Sequence, residues 1–187
     1  MTTRDIVLVA LFAAIIVVLG MLPPITLGFI PVPITAQSLG VMLAGCILGA
    51  KRGAAAVLLV VLLVAIGLPV LSGGRGGLAV FAGPTAGYLV GWVAGAYVTG
   101  LIAERLVREG QPEFQQFLGF LVAAVVGGIG IVYLFGIAWL CYMSGKAFIA
   151  TTLASLVFIP GDLIKAFVAM LAGRAVLAGY PLLPVRT

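Results

Sequence analysis

From Ile6 to Leu22 the chain carries no charged side chain, and a run of that length is about what is needed to cross the hydrocarbon core of a bilayer. Comparable apolar runs follow it to the other end of the sequence. Of the 187 residues, 64% are apolar and 8% charged, against about 25% charged in a soluble domain. Such a chain dissolves in lipid rather than water. In lipid its backbone polar groups must be satisfied internally, which favours helices of spanning length. The expectation is an all-α integral membrane protein forming one domain over residues 1–187. Arg4 precedes the first run as in a signal peptide, but no small-residue cleavage site follows. We take that run as a retained first helix.

The sequence also excludes chemistry. There is no histidine, so triads, HExxH metal sites and imidazole proton relays are absent. Cys46 and Cys141 stand far apart in apolar surroundings without metal-type spacing. We expect buried free thiols, no metal and no cofactor. Ser144-Gly145-Lys146 is a fragment of a phosphate loop, but Leu140 stands where glycine is required and Ala147 where Ser or Thr is. No paired carboxylates or GxSxG elbow suggest an enzyme. The bases are scattered, forming no face for nucleic acid.

Punctuation divides the chain into helices over about 5–22, 36–50, 53–68, 84–106, 117–140 and 160–178. The first carries Ala10 and Ala14, a small-xxx-small face that admits a close neighbour. That neighbour is either another helix of the bundle or a partner membrane protein. Gly45, Gly49 and Gly53, and again Gly83, Gly87, Gly91 and Gly95, recur every fourth residue and predict tight helix contacts. Residues 23–35 hold Pro23, Pro24, Pro31 and Pro33 yet no charge. Irregular apolar backbone at membrane depth must pack on protein or line a cavity. Residues 69–83 form a second such connection, with Arg75 among four glycines. Residues 141–159 either open one long kinked final helix or form a third connection. We favour the connection, because Pro160 suits a helix start.

One acid and one base sit inside the last apolar stretch: Asp162 and Lys165, three apart and so on one helical face. Embedded ionisable residues usually mark a substrate or ion pathway. The plainer alternative has Asp162 stabilising a helix N-terminus and Lys165 snorkelling to the interface. With both termini inside, Arg4, Lys51, Arg52, Arg105, Arg108, Arg174 and Arg186 face the cytoplasm, and only Arg75 and Lys146 face out. This asymmetry fits six transmembrane helices, N-in and C-in. Asp162 and Lys165 then lie at the outer end, beneath three apolar re-entrant outer connections. Gln37 and Tyr88 fall at the same level. Such a site suits a small, partly polar molecule.

Five stretches, PVPITAQSLGVMLAG (31–45), GLPVLSGGRGG (67–77), GPTAGYLVGW (83–92), IAWL (137–140) and IPGDLIK (159–165), agree in order and spacing with one family. The chain resembles, over essentially its whole length, the BioY proteins, biotin-specific substrate-binding (S) components of energy-coupling factor (ECF) transporters. Where that family often has a glycine, this chain has Ala86. The resemblance implies biotin uptake across a bacterial or archaeal cell (inner) membrane. It implies partners as well, a transmembrane coupling protein and cytosolic ABC-type ATPases. It further implies substrate contacts from Gln37, Arg75, Tyr88, Asp162 and Lys165, with the Ala10/Ala14 face as the docking surface. An S component for another vitamin and a non-transporting membrane assembly protein are the alternatives.

Overall fold

The computed structural model describes residues 1–183; Arg186 lies outside them. The described residues are predominantly helical, without strands, and their only β pairing is two isolated bridges. Besides a short 3₁₀ helix at Leu78–Ala82, they hold six longer helical runs: α1 (Thr3–Gly20), α2 (Gln37–Leu48), α3 (Ala50–Ala65), α4 (Ala86–Leu106), α5 (Glu113–Ser144) and α6 (Phe148–Gly179). Of these, α1, α4, α5 and α6 are long and apolar enough to cross a membrane alone. At about 1.5 Å per residue, α2 is only about 18 Å long.

Helix α4 is the hub, packing against α2, α3 and α5, while α6 closes the bundle against α2 and α5. The glycine series explains how closely it packs. A Cβ on Gly87 would stand 2.2 Å from Cβ of Trp139, one on Gly91 2.9 Å from the Val132 carbonyl, and one on Gly95 2.8 Å from that of Gly127. Three of the four glycines therefore face α5. Gly83 has only carbonyls of its own loop nearby. The α2–α3 series divides similarly: Gly45 and Gly53 are contacts, whereas Gly49 is the turn itself, at φ +81°. Lys51 and Arg52 accordingly sit in the first turn of α3.

Both long final runs depart from regular α geometry midway. In α5 the stretch Ala124–Ile131, rich in glycine, is a π-helix. Its wider turns change which face the following residues present. In α6 a 3₁₀ turn, Leu156–Phe158, joins an α-helical Phe148–Ser155 to Ile159–Gly179. This corrects the expected third connection. Residues 141–144 end α5, residues 145–147 turn on Gly145 at φ +64°, and residues 148–158 are already helical. Pro160 does stand near the start of an α-helical segment, but the 3₁₀ turn carries the chain into it, so no loop is needed.

At the end of the bundle opposite Asp162, charged residues tie the helix ends together. Arg52 pairs with Asp5 at 3.3 Å and donates to the Leu182 carbonyl. Arg174 pairs with Glu113, and Glu104 accepts the Ala50 N–H at 2.7 Å. Gly87→Ala should destabilise the protein by about 1–3 kcal/mol through overpacking. Gly161→Ala, which meets nothing within 4 Å, should not. Thermal unfolding in detergent measures both, and a wild-type midpoint for Gly87→Ala would contradict this packing.

Candidate functional site

Asp162 and Lys165 occupy the early turns of the α-helical segment Ile159–Gly179 and share a face. Lys165 Nζ lies 2.8 Å from Asp162 Oδ1, 3.0 Å from Ser38 Oγ and 2.8 Å from the Thr35 carbonyl. An ammonium has three protons, and here each has an acceptor. The snorkelling alternative is thereby set aside, because the amine turns into the bundle and holds the entry to α2. Asp162 is 7% exposed. Its Oδ2 accepts from the Tyr133 hydroxyl at 2.7 Å, and its Oδ1 lies 3.4 Å from Ser38 Oγ. A carboxylate has about four lone-pair positions. Lys165, Ser38 and Tyr133 fill at most three, so at least one is left to accept a hydrogen bond from a ligand.

The pair borders a cavity in which all five expected residues, Gln37, Arg75, Tyr88, Asp162 and Lys165, come together. Ser38, Thr35, Thr85 and Tyr133 add polar groups, and Ile34, Leu71, Leu89, Trp92, Val132 and Phe158 make most of the apolar wall. Two loops reach it. The first is pinned by reciprocal backbone bonds between Ile25 and Ile34 (3.0 and 2.8 Å) and buries Ile30 and Val32. The second presents Leu71 and Arg75. The third expected covering contributes Phe158, from a helical turn.

The polar groups differ in how far the protein occupies them. Gln37 is 1% exposed and both ends of its amide are engaged. Its Nε2 donates to the carbonyls of Ile16 (3.2 Å) and Val70 (3.0 Å), and its Oε1 accepts from Ser72 N (2.9 Å) and Oγ (3.3 Å). Gln37 thus lines the cavity with both amide protons already donated within the protein. Arg75 donates from Nε to the Ser72 carbonyl at 3.2 Å, and no carboxylate pairs with it among the described residues. The Tyr88 ring lies edge-on to Tyr133, 6.4 Å between centroids, and fits because Gly136 has no Cβ. Its hydroxyl lies near Ser155 and is buried without a hydrogen-bond partner among the described residues. Ala10 and Ala14 are exposed on α1, away from the cavity.

Tyr133 is the residue that the sequence did not reveal. Nothing about Val-Tyr-Leu-Phe distinguishes it from an ordinary apolar helix. The signal was the Gly127-Gly128 pair before it, which falls in the π-helix; such distortions recur at functional sites.

The geometry makes a stability prediction. Lys165→Met leaves the Asp162 carboxylate buried without its cation and should cost about 3–5 kcal/mol. Asp162→Leu with Lys165→Met removes both charges and should recover much of that loss. Thermal unfolding of the single and double variants measures the coupling. Additive losses would contradict a coupled pair.

Comparison with known proteins identifies the family and the fold. The BioY family model matches residues 1–181. The chain is 67% identical over 186 residues to the biotin transporter BioY of Rhizobium etli, covering 100% of both chains. It is 53% identical over 182 residues to that of Rhodobacter capsulatus, covering 92% of this chain and 93% of the relative. Its fold is similar to the crystal structure of the S-component for biotin from an ECF-type ABC transporter, with TM-score 0.88, 35% identity and 97% of each chain covered. From 67% identity across its full length and a family match over residues 1–181, the chain belongs to the BioY family.

Proposed function

We propose that this protein is the biotin-binding S component of an ECF-type transporter and serves biotin uptake rather than catalysis. The observation that carries the proposal is the buried Asp162–Lys165 pair at 2.8 Å beside an otherwise largely apolar cavity, in a chain whose relatives are biotin transporters. Biotin joins a neutral ureido ring, a thioether ring and a carboxylated tail. An apolar pocket with few polar groups suits the fused rings. The free lone pair of Asp162 suits a ureido N–H. With Lys165 balancing its charge, the acid binds a neutral donor without leaving a net charge buried. Arg75 is the group that suits the carboxylate, Tyr88 adds wall and an uncommitted hydroxyl, and Tyr133 holds the carboxylate of Asp162 in place.

The six helical runs are read as six crossings, with α2 and α3 completed by their loops. Cytoplasmic termini place Arg4, Lys51, Arg52, Arg105, Arg108 and Arg174 inside, in accord with the positive-inside rule. The cavity then opens outward under the loops of residues 23–35 and 69–83, in the inner membrane of a bacterial or archaeal cell. Ala10 and Ala14, exposed on α1, are the small-residue face offered to a transmembrane coupling protein, and cytosolic ABC-type ATPases supply the hydrolysis for which this sequence has no phosphate loop.

Asp162→Asn should weaken biotin binding by purified protein at least about tenfold, the loss of about 1.4 kcal/mol that a charge-assisted hydrogen bond typically contributes. Ser155→Ala, outside the cavity lining, should bind as wild type. Calorimetry with biotin, and thermal shift with biotin, thiamine and riboflavin in parallel, measures both. Equal affinities for the two variants would remove Asp162 from the site, and stabilisation by riboflavin but not biotin would overturn the ligand.

A further inference from the structure

Gln37 sits where three segments meet, and its amide hydrogen-bonds to the other two. The last turn of α1 offers the Ile16 carbonyl, the second loop offers the Val70 carbonyl and the Ser72 N–H and hydroxyl, and α2 supplies the amide itself. The approach is tight enough to constrain the sequence around it. A Cβ on Gly20 would stand 2.6 Å from Gln37 Nε2 and 2.7 Å from the Val70 carbonyl, so the amide reaches Val70 only because residue 20 has no side chain. Ser72 is itself 1% exposed, and its carbonyl holds Arg75 Nε at 3.2 Å. Beyond Ser72 the loop turns on Gly73 (φ +79°), Gly74 (φ +69°) and Gly77 (φ +86°), positions that glycine adopts without strain.

The two sides of this junction have different jobs. One side carries Leu71 and Arg75 to the cavity. The other is α1, which packs only on α2 and α3 among the helices it touches extensively and leaves Ala10, Ala14 and Val18 exposed. We infer that Gln37 is a positioning residue that links the loop over the cavity to the last turn of α1, so that ligand occupancy and the setting of α1 report on each other. Coupling of this kind is reciprocal: an event on the exposed face of α1 that shifts its last turn acts on the same four bonds as a ligand that draws in the loop. The inference rests on the biotin-binding reading for its ligand but not for the junction, which is present without one.

Hydrogen exchange on the full-length protein in nanodiscs, with and without biotin, tests it. In ligand-free protein, Gln37→Met should speed exchange at Ser72 and in the last turn of α1 by about tenfold or more, as loss of buried hydrogen bonds implies. A residue that merely contacted ligand would leave ligand-free exchange unchanged. Biotin should slow exchange both in residues 70–77 and in the last turn of α1 of the wild type, and only in residues 70–77 of the variant. Gln37→Glu, which keeps the shape and the acceptor for Ser72 but loses donation to Ile16 and Val70, should protect Ser72 while releasing α1, and serves if the methionine variant does not fold. Unchanged ligand-free exchange, or an α1 response to biotin that survives both substitutions, would overturn the link. A wild type that binds no biotin would overturn the ligand assignment alone, since the ligand-free comparison still decides the junction.

Discussion

A carboxylate and an ammonium are held together inside a bundle made for lipid, and most of the functional end of the molecule follows from the need to satisfy them. Neither charge is tolerable alone at that depth. Lys165 therefore requires three acceptors, which it finds on Asp162, Ser38 and the Thr35 carbonyl, and these fix where α2 begins. Asp162 requires donors on its second oxygen, and Tyr133 supplies one from α5. Three helices are registered by one ion pair, and its only uncommitted capacity is an acceptor position beside the cavity. On the proposed function, such a site, fixed on its polar side and largely apolar elsewhere, would select a ligand by shape and by one or two well-placed N–H groups.

The short α2 makes room for this. A helix of about 18 Å leaves part of the bilayer thickness to the segment before it, where Val32, Pro33, Ile34 and Thr35 line the cavity. Only part of that segment is buried: Ile30 and Val32 turn inward, while Pro23, Ile25, Phe29 and Pro31 are exposed. At the opposite end of the bundle, helix termini are joined by exposed or half-exposed ion pairs such as Arg52–Asp5. Surface pairs of that kind contribute little to stability.

Much of this was legible in the sequence because lipid simplifies the code. Apolar runs, proline clusters and glycines at every fourth position located the first five helices to within a few residues, and Gly87, Gly91 and Gly95 make the tight helix contact that their spacing implied. The embedded pair singled itself out by cost. What was not legible depends on geometry that a linear pattern does not carry. Pro160 marks the start of an α-helical segment in a sequence, but a 3₁₀ turn before it lets the helix continue back to Phe148. Tyr133 acquires its role because of the π-helix before it, and tyrosine in an apolar helix is otherwise unremarkable. Gln37 lines the cavity as its polarity suggested, but the four hydrogen bonds it makes within the fold join segments far apart in the sequence and so are not carried by a linear pattern.

Central to this account is that the cavity beside Asp162 and Lys165 holds one biotin. The most direct measurement is native mass spectrometry of protein purified from cells grown with biotin, followed by identification of whatever small molecule is released. The expected result is one molecule of biotin's mass per chain, absent from the Asp162→Leu/Lys165→Met double variant. Release of a different vitamin from the wild type, or retention of biotin by the double variant, would contradict it.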